Sequence, residues 1–245
     1  MTAGKLLPFF TYYGGKWRAA RHYPPPSCRL IVEPFAGSAG YALNWPDRDV
    51  LLRDTDPNVV GTWQFLLSAT PEDVLALPDL EPDQSTRDLD VPEGARLLIG
   101  WWLSKGSASP KLRPSTFALN YPQGGPYWGP RVRQRIADQL PRIRHWQVQL
   151  GTWQDAPDVH ATWLVDPPYV GAGHHYRHGS AGIDYPALAF WSARRRGQVL
   201  VCEADSADWL PFRPLVRVHG TEGRQQRNRA RMETLWSVDC WRGCT

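Results

Sequence analysis

Sulfur is scarce in this chain: 245 residues hold 4 Cys and 2 Met. Cys28, Cys202, Cys240 and Cys244 form no CxxC pair, which argues against a zinc ribbon and against a disulfide framework. Cys202 lies in an apolar run and reads as a small core residue. No apolar stretch approaches the roughly 18 residues of a membrane-spanning helix, and the start of the chain does not read as a signal peptide. The expectation is a cytoplasmic protein with reduced thiols and no membrane partner. A dominant charge is lacking too. The 28 Lys and Arg against 24 Asp and Glu leave +4, which permits a polyanionic partner without demanding one. Internal repeats and heptads are absent.

What is present is an ordinary globular balance, 42% hydrophobic and 21% charged, with 13 Trp adding stacking surface. The length suits one large domain, or a catalytic domain carrying an insertion. Apolar runs at 30–32, 50–52, 163–165 and 199–202 read as buried strands. Segments 146–150, 216–218 and 235–238 read as further strands. Helical patterns occupy 58–67, 95–103, 131–140 and 186–195, and a helix through residue 43 is expected after the glycine turn at 37–40. Strand, glycine turn, helix, strand and acid make a βαβ unit, so the fold class is α/β with a mostly parallel sheet. Residues 105–129, dense in Ser, Pro and Gly, read as an insertion.

Four motifs carry chemistry. The first is Asp166-Pro167-Pro168-Tyr169, at the end of an apolar strand. The exocyclic amine of a nucleobase is a poor nucleophile, because its lone pair is delocalised into the ring. An acceptor on each N–H localises that pair. Asp166 supplies one acceptor and the Pro167 carbonyl another, while Pro167 and Pro168 together fix the turn and leave no competing N–H groups. Tyr169 offers a flat face for an extruded base. The plain alternative is a strand-ending turn with an Asp cap. The second motif is EPFAGSAG at 33–40, where small residues after a strand admit a cofactor to the backbone, with Glu33, Phe35 and Gly37 beside it. The third is Asp54, at the end of the next strand, placed for ribose hydroxyls or for capping a helix. The fourth is YYGGK at 12–16, in which a Gly pair bends the chain and Lys16 reaches an anion.

Together these motifs resemble the D12-class, Dam-like N6-adenine DNA methyltransferases. The matching segments are YYGGK at 12–16, VEPFAGSAG at 32–40, DTDPN at 54–58 and DPPY at 166–169. GQVLVCEAD at 197–205 and METLW at 232–236 match more weakly. The motifs follow the family's order along nearly the whole chain. The resemblance implies a Rossmann-like methyltransferase fold, S-adenosyl-L-methionine as cofactor, double-stranded DNA as partner, and no metal. It implies DNA methylation of the kind found in restriction–modification systems. Tyr12 would line the cofactor pocket, Lys16 would touch the cofactor, Asp54 would hold its ribose, and Asp166 would meet both cofactor and target amine. Three positions depart from the family. Ala39 stands where Gly is usual and is expected to place a methyl group beside the cofactor. Asp56 replaces an Asn, and Glu203-Ala204-Asp205 replaces a Ser-Asn-like turn.

By the same resemblance, residues 1–69 and 156–245 form the catalytic domain and 70–155 the inserted target-recognition region. Lys105, Lys111, Arg113, Tyr127, Trp128, Arg131, Arg133 and Arg135 are its candidate DNA contacts, with Tyr127 and Trp128 as a wedge. Arg224 and Arg227, in a later Arg-rich loop, are candidates for phosphate contact. His174, His175 and His178 have the composition of a metal site but read better as a loop beyond DPPY. N4-cytosine methylation and a degenerate, non-catalytic nucleic-acid-binding module stay open as alternatives.

Overall fold

The computed structural model describes residues 4–121, 125–170, 180, 182–219 and 230–239. Among them run β1 (Leu30–Glu33), β2 (Asp49–Asp54), β3 (Gln147–Leu150), β4 (His160–Val165), β5 (Arg196–Ala204), β6 (Arg213–His219) and β7 (Ala230–Asp239). They form a sheet in the order β3-β2-β1-β4-β5-β7-β6. The first five pair in parallel, whereas β7 runs antiparallel to β5 and to β6. This is the α/β fold with a mostly parallel sheet that the sequence pattern predicts.

Alternation along the central strands explains the layering. Ile31, Val50, Leu52, Leu164, Leu200 and Cys202 join one apolar cluster, and Val32, Leu51, Trp163, Val165, Val199 and Val201 join the other. Successive side chains of a strand face opposite ways, so a strand apolar on both faces must be covered on both. Helices α1 (Pro57–Ser68), the short α2 (Pro71–Leu75) and α3 (Glu93–Trp102) add Trp63, Leu66, Val74, Leu98, Ile99 and Trp101 to the cluster on the first face. Helix α6 (Tyr185–Ala193) covers the second with Leu188 and Trp191. The α1 start is well specified: Asp56 accepts the Asn58 N–H at 2.9 Å, and Pro57 takes a position that needs no N–H partner.

No α-helix follows the glycine turn, contrary to expectation; only a 3-10 turn at Ala42–Asn44 does. Gly37 (φ 45°) and Ala39 (φ 53°) are left-handed, which breaks a helical run. The Ala42 N–H instead donates to the Glu33 carboxylate at 2.7 Å. Within 70–155, β3 is an edge strand of the sheet, while α3 and α5 (Pro130–Gln139) feed Leu98, Trp101, Val132 and Ile136 into the common core. Residues 104–121, including the short α4 (Thr116–Leu119), bury no residue and stand at the surface.

Gly40 is where two distant segments touch. A Cβ there would lie 2.5 Å from the Trp17 amide nitrogen and 2.9 Å from that of Lys16. Because backbone cannot step aside as a flexible side chain does, Gly40→Ala is expected to cost about 1–3 kcal/mol in denaturant unfolding. Unchanged stability would show that the 12–17 segment does not rest on this turn.

Candidate functional site

The sheet order reverses direction between β1 and β4. From β1 the chain works outward through β2 to β3, then returns across to β4 and β5. At such a switch point the carboxyl ends of adjacent strands open a crevice. A cavity of about 350 Å³ lies there, large enough for a small-molecule ligand. Its walls include Tyr12 and Lys16, Glu33 and Phe35, Gly37, Asp54, Asp166 and Pro168. The four motifs therefore meet at one place, although they are spread over more than half of the chain.

Each wall is held by identifiable contacts. The Asp54 carboxylate takes the Gly37 N–H at 2.9 Å on one oxygen and the Asp56 N–H at 2.9 Å on the other, so the β2 terminus pins the glycine turn. Trp63 of α1 donates its indole N–H to the Gly37 carbonyl at 2.8 Å. The Tyr12 ring packs against Gly37, where a Cβ would come within 2.9 Å of it. Ala39 does not line the cavity: its methyl is buried in the apolar cluster, so the expected crowding of a cofactor is corrected. Lys16 reaches across from its loop to Asp166, with Nζ 3.1 Å from Oδ1.

Asp166 sits directly after β4. Burial pushes its carboxyl up to about 6 against the opposing pull of Lys16, with Glu233 and Glu203 adding to the rise. Glu33 is pushed up to about 8, chiefly by burial, despite the Ala42 amide that favours its ionised form. Tyr169 behaves differently from expectation. It does not line the cavity; its hydroxyl donates to Glu233 Oε1 at 2.6 Å, and Lys16 Nζ lies 4.2 Å from its ring centroid. As placed, one face of the ring faces the lysine rather than an incoming base. Pro167 is buried beside it, and the Pro168 carbonyl accepts the Tyr185 hydroxyl at 2.5 Å.

The proposed DNA contacts divide. Tyr127 and Trp128 are 9% and 7% exposed, and the Trp128 indole N–H donates to the Pro78 carbonyl at 2.8 Å. Both are anchors rather than a projecting wedge, because the Gly- and Pro-rich stretch folds them against the core. Arg133 pairs with Asp79, and Arg135 donates to the Pro8 carbonyl while stacking on Trp102. Arg131 is exposed, as is Arg113, which also donates to the Asp83 carbonyl at 2.8 Å. Exposed aromatics of this region are Phe117 of α4, at 72%, and Tyr121, at 49%, neither of which the sequence pattern singled out. Arg224, Arg227 and the three loop histidines lie outside the described residues. Sequence reasoning also missed Glu233, Tyr23, Trp63 and the Thr152–Gln154 wall of the cavity.

Among the described residues no group of His, Cys, Asp and Glu is arranged to hold a metal ion, and no helix is long and apolar enough to cross a membrane. The chain matches none of the protein-family models it was compared with, and no curated protein matches it.

The raised Glu33 carboxyl has a consequence for stability. Unfolded, it ionises near its ordinary 4.5; folded, it keeps its proton up to about 8. Between those values the folded state binds more protons, so raising pH weakens it. Glu33→Gln keeps an acceptor for Ala42 and removes the titration. Unfolding free energies measured across this window should fall less steeply with pH in the variant; identical slopes would show that Glu33 is not the group responsible.

Proposed function

We propose that the protein transfers a methyl group from S-adenosylmethionine to the N6 amine of adenine in double-stranded DNA. The observation that carries this reading is the convergence of the glycine turn, Asp54, Lys16 and the DPPY aspartate on one switch-point cavity. The resemblance of the four motifs to the Dam-like family supports it independently of that geometry. The charge of the cavity supports it too. Among the described residues, Asp54, Asp56 and Asp166 line it against the ammonium of Lys16, while Glu33 keeps its proton. Such a wall favours a ligand carrying a sulfonium and an amino group, and disfavours a pyrophosphate.

The residues fit that cofactor. Lys16 provides the partner for a carboxylate, and the small residues at 37–40 allow close approach to the backbone. Asp54, oriented by the Gly37 and Asp56 N–H groups, would accept the ribose hydroxyls. When bound, S-adenosylmethionine supplies an electrophilic methyl group on a sulfonium. Asp166 and the Pro167 carbonyl accept the two N–H bonds of the target amine and localise its lone pair. The methyl group would pass from sulfur to the amine nitrogen, and Asp166 or water would take the surplus amine proton. The work of the site is alignment of nitrogen, carbon and sulfur. Asp166 must be ionised to accept, so transfer is expected to fade as pH falls through about 6. Lys105, Lys111, Arg113, Arg131, Phe117 and Tyr121 are exposed basic and aromatic side chains that would meet the duplex. Tyr169 would have to turn outward to stack on a base.

The test is nucleoside mass spectrometry after incubation with labelled S-adenosylmethionine and unmethylated duplex DNA. N6-methyladenine is expected. N4-methylcytosine would overturn the base assignment, and no label in DNA would overturn the function. Asp166→Ala should abolish transfer with the fold retained. Asp54→Ala should weaken binding of the cofactor in calorimetry by about tenfold or more, the loss of one charged hydrogen bond. Undiminished affinity would remove Asp54 from the cofactor site.

A further inference from the structure

Glu233 of β7 is buried, yet three donors from separate parts of the chain crowd one of its oxygens. The Tyr23 hydroxyl and the Tyr169 hydroxyl each donate to Oε1 at 2.6 Å, and Lys16 Nζ lies 3.8 Å away. Tyr23 follows the loop that carries Lys16, and Tyr169 ends the DPPY turn. The same Lys16 stands 3.1 Å from Asp166 and over the Tyr169 ring. The two tyrosines alone need only an acceptor, which a neutral amide would provide. A buried carboxylate is costly unless paired, and the group that needs its charge is the lysine.

We propose that Glu233 is the positioning residue of this site: it holds Tyr169 and Lys16 in place around Asp166 and so governs how that carboxylate meets its substrate. Tyr169 cannot turn outward without giving up the Glu233 bond. Lys16 is shared between two carboxylates and is not spent wholly on Asp166. The other ionisable groups facing Asp166 are Glu33 from β1, Glu203 and Cys202 from β5, and Tyr23 and Tyr169. Among these and Glu233, only Glu233 touches both the lysine and the DPPY tyrosine. Its activity consequence rests on the methyltransferase reading; its effect on Asp166 does not.

The experiment uses two variants. Glu233→Gln keeps an Oε1 acceptor for both tyrosines and removes the charge. Glu233→Ala removes both and leaves two buried hydroxyls unpaired, which can compromise folding, so the Gln variant carries the decisive arm. The carboxyl carbon of Asp166 is followed by NMR against pH in unliganded, aspartate-labelled protein and assigned with Asp166→Asn. The wild-type midpoint is expected at about 6. In Glu233→Gln it should fall by about one unit, because a like charge is gone and Lys16 is left to Asp166. An unmoved midpoint overturns the proposal. In turnover at pH 8, Glu233→Gln should stay within about threefold of wild type and Glu233→Ala should lose about tenfold or more. Equal turnover of Glu233→Ala and wild type also overturns it. If the wild-type protein transfers no methyl group, the reading of function fails and the NMR midpoint alone decides the role of Glu233.

Discussion

The reversal of strand order between β1 and β4 is the constraint from which the site follows. Parallel strands need long crossovers, and each crossover places covering structure on one face of the sheet. When β1, β2 and β3 run outward one way and β4 and β5 the other, the connections leave β1 and β4 in opposite directions. The two carboxyl ends are then adjacent but not capped by a common loop. Glu33 and Asp166 stand at or just beyond those ends, and burial acts on both because the strands behind them are apolar on both faces. The sheet thus produces a polar floor at the edge of a dry core.

Among the described residues, that floor carries more acid than base. Lys16 is its ammonium, and Asp166 and Glu233 both lie within 4 Å of it. Burying several carboxylates around one cation is tolerable only if some remain protonated or bonded to fixed dipoles. Both devices are present. Asp54 is bound by two backbone N–H groups, and Glu203 by the amides of Ala204 and Val170 and the indole of Trp209. Burial shifts Asp166 and Glu33 upward, and raises Glu203 as well in spite of its three donors. A cationic ligand entering this cavity relieves the same imbalance, whereas an anionic one would compound it.

The local motifs were legible because each is written in contiguous residues whose chemistry constrains the backbone. Glycines at 37 and 40 and the doubled proline after Asp166 announce their geometry. The strands were legible because apolar runs covered on both faces admit few other readings. What the sequence hid depends on tertiary register. Glu233 sits 67 positions after Asp166, and only the pairing of β7 with β5, which sets it opposite Ala204, brings it under the site. Trp128 was misread because glycine and proline neighbours signal a loop but do not say which way the loop packs. The arginines of α5 show the same limit: alternating charge marks a helix face, while the Arg133–Asp79 pair and the Arg135–Trp102 stack are decided by what lies opposite.

Ala39 shows how a departure at a glycine-rich turn is accommodated. Its φ of 53° is a conformation in which an L-residue with a Cβ pays about 1–2 kcal/mol. Glycine would avoid that strain but would leave the space of one buried methyl, about 0.8 kcal/mol. Glycine would also lose about 0.5–1 kcal/mol more in backbone freedom on folding. The two sides are of equal size. Since the methyl is fully buried among core residues and lies off the cavity wall, alanine changes neither the stability nor the shape of the pocket by much. Gly37 and Gly40 have no such latitude. One faces the Tyr12 ring from a left-handed conformation, and the other lies against the backbone of Lys16 and Trp17. The turn therefore needs glycine at the two positions where another segment closes on it, and only tolerates it at the third.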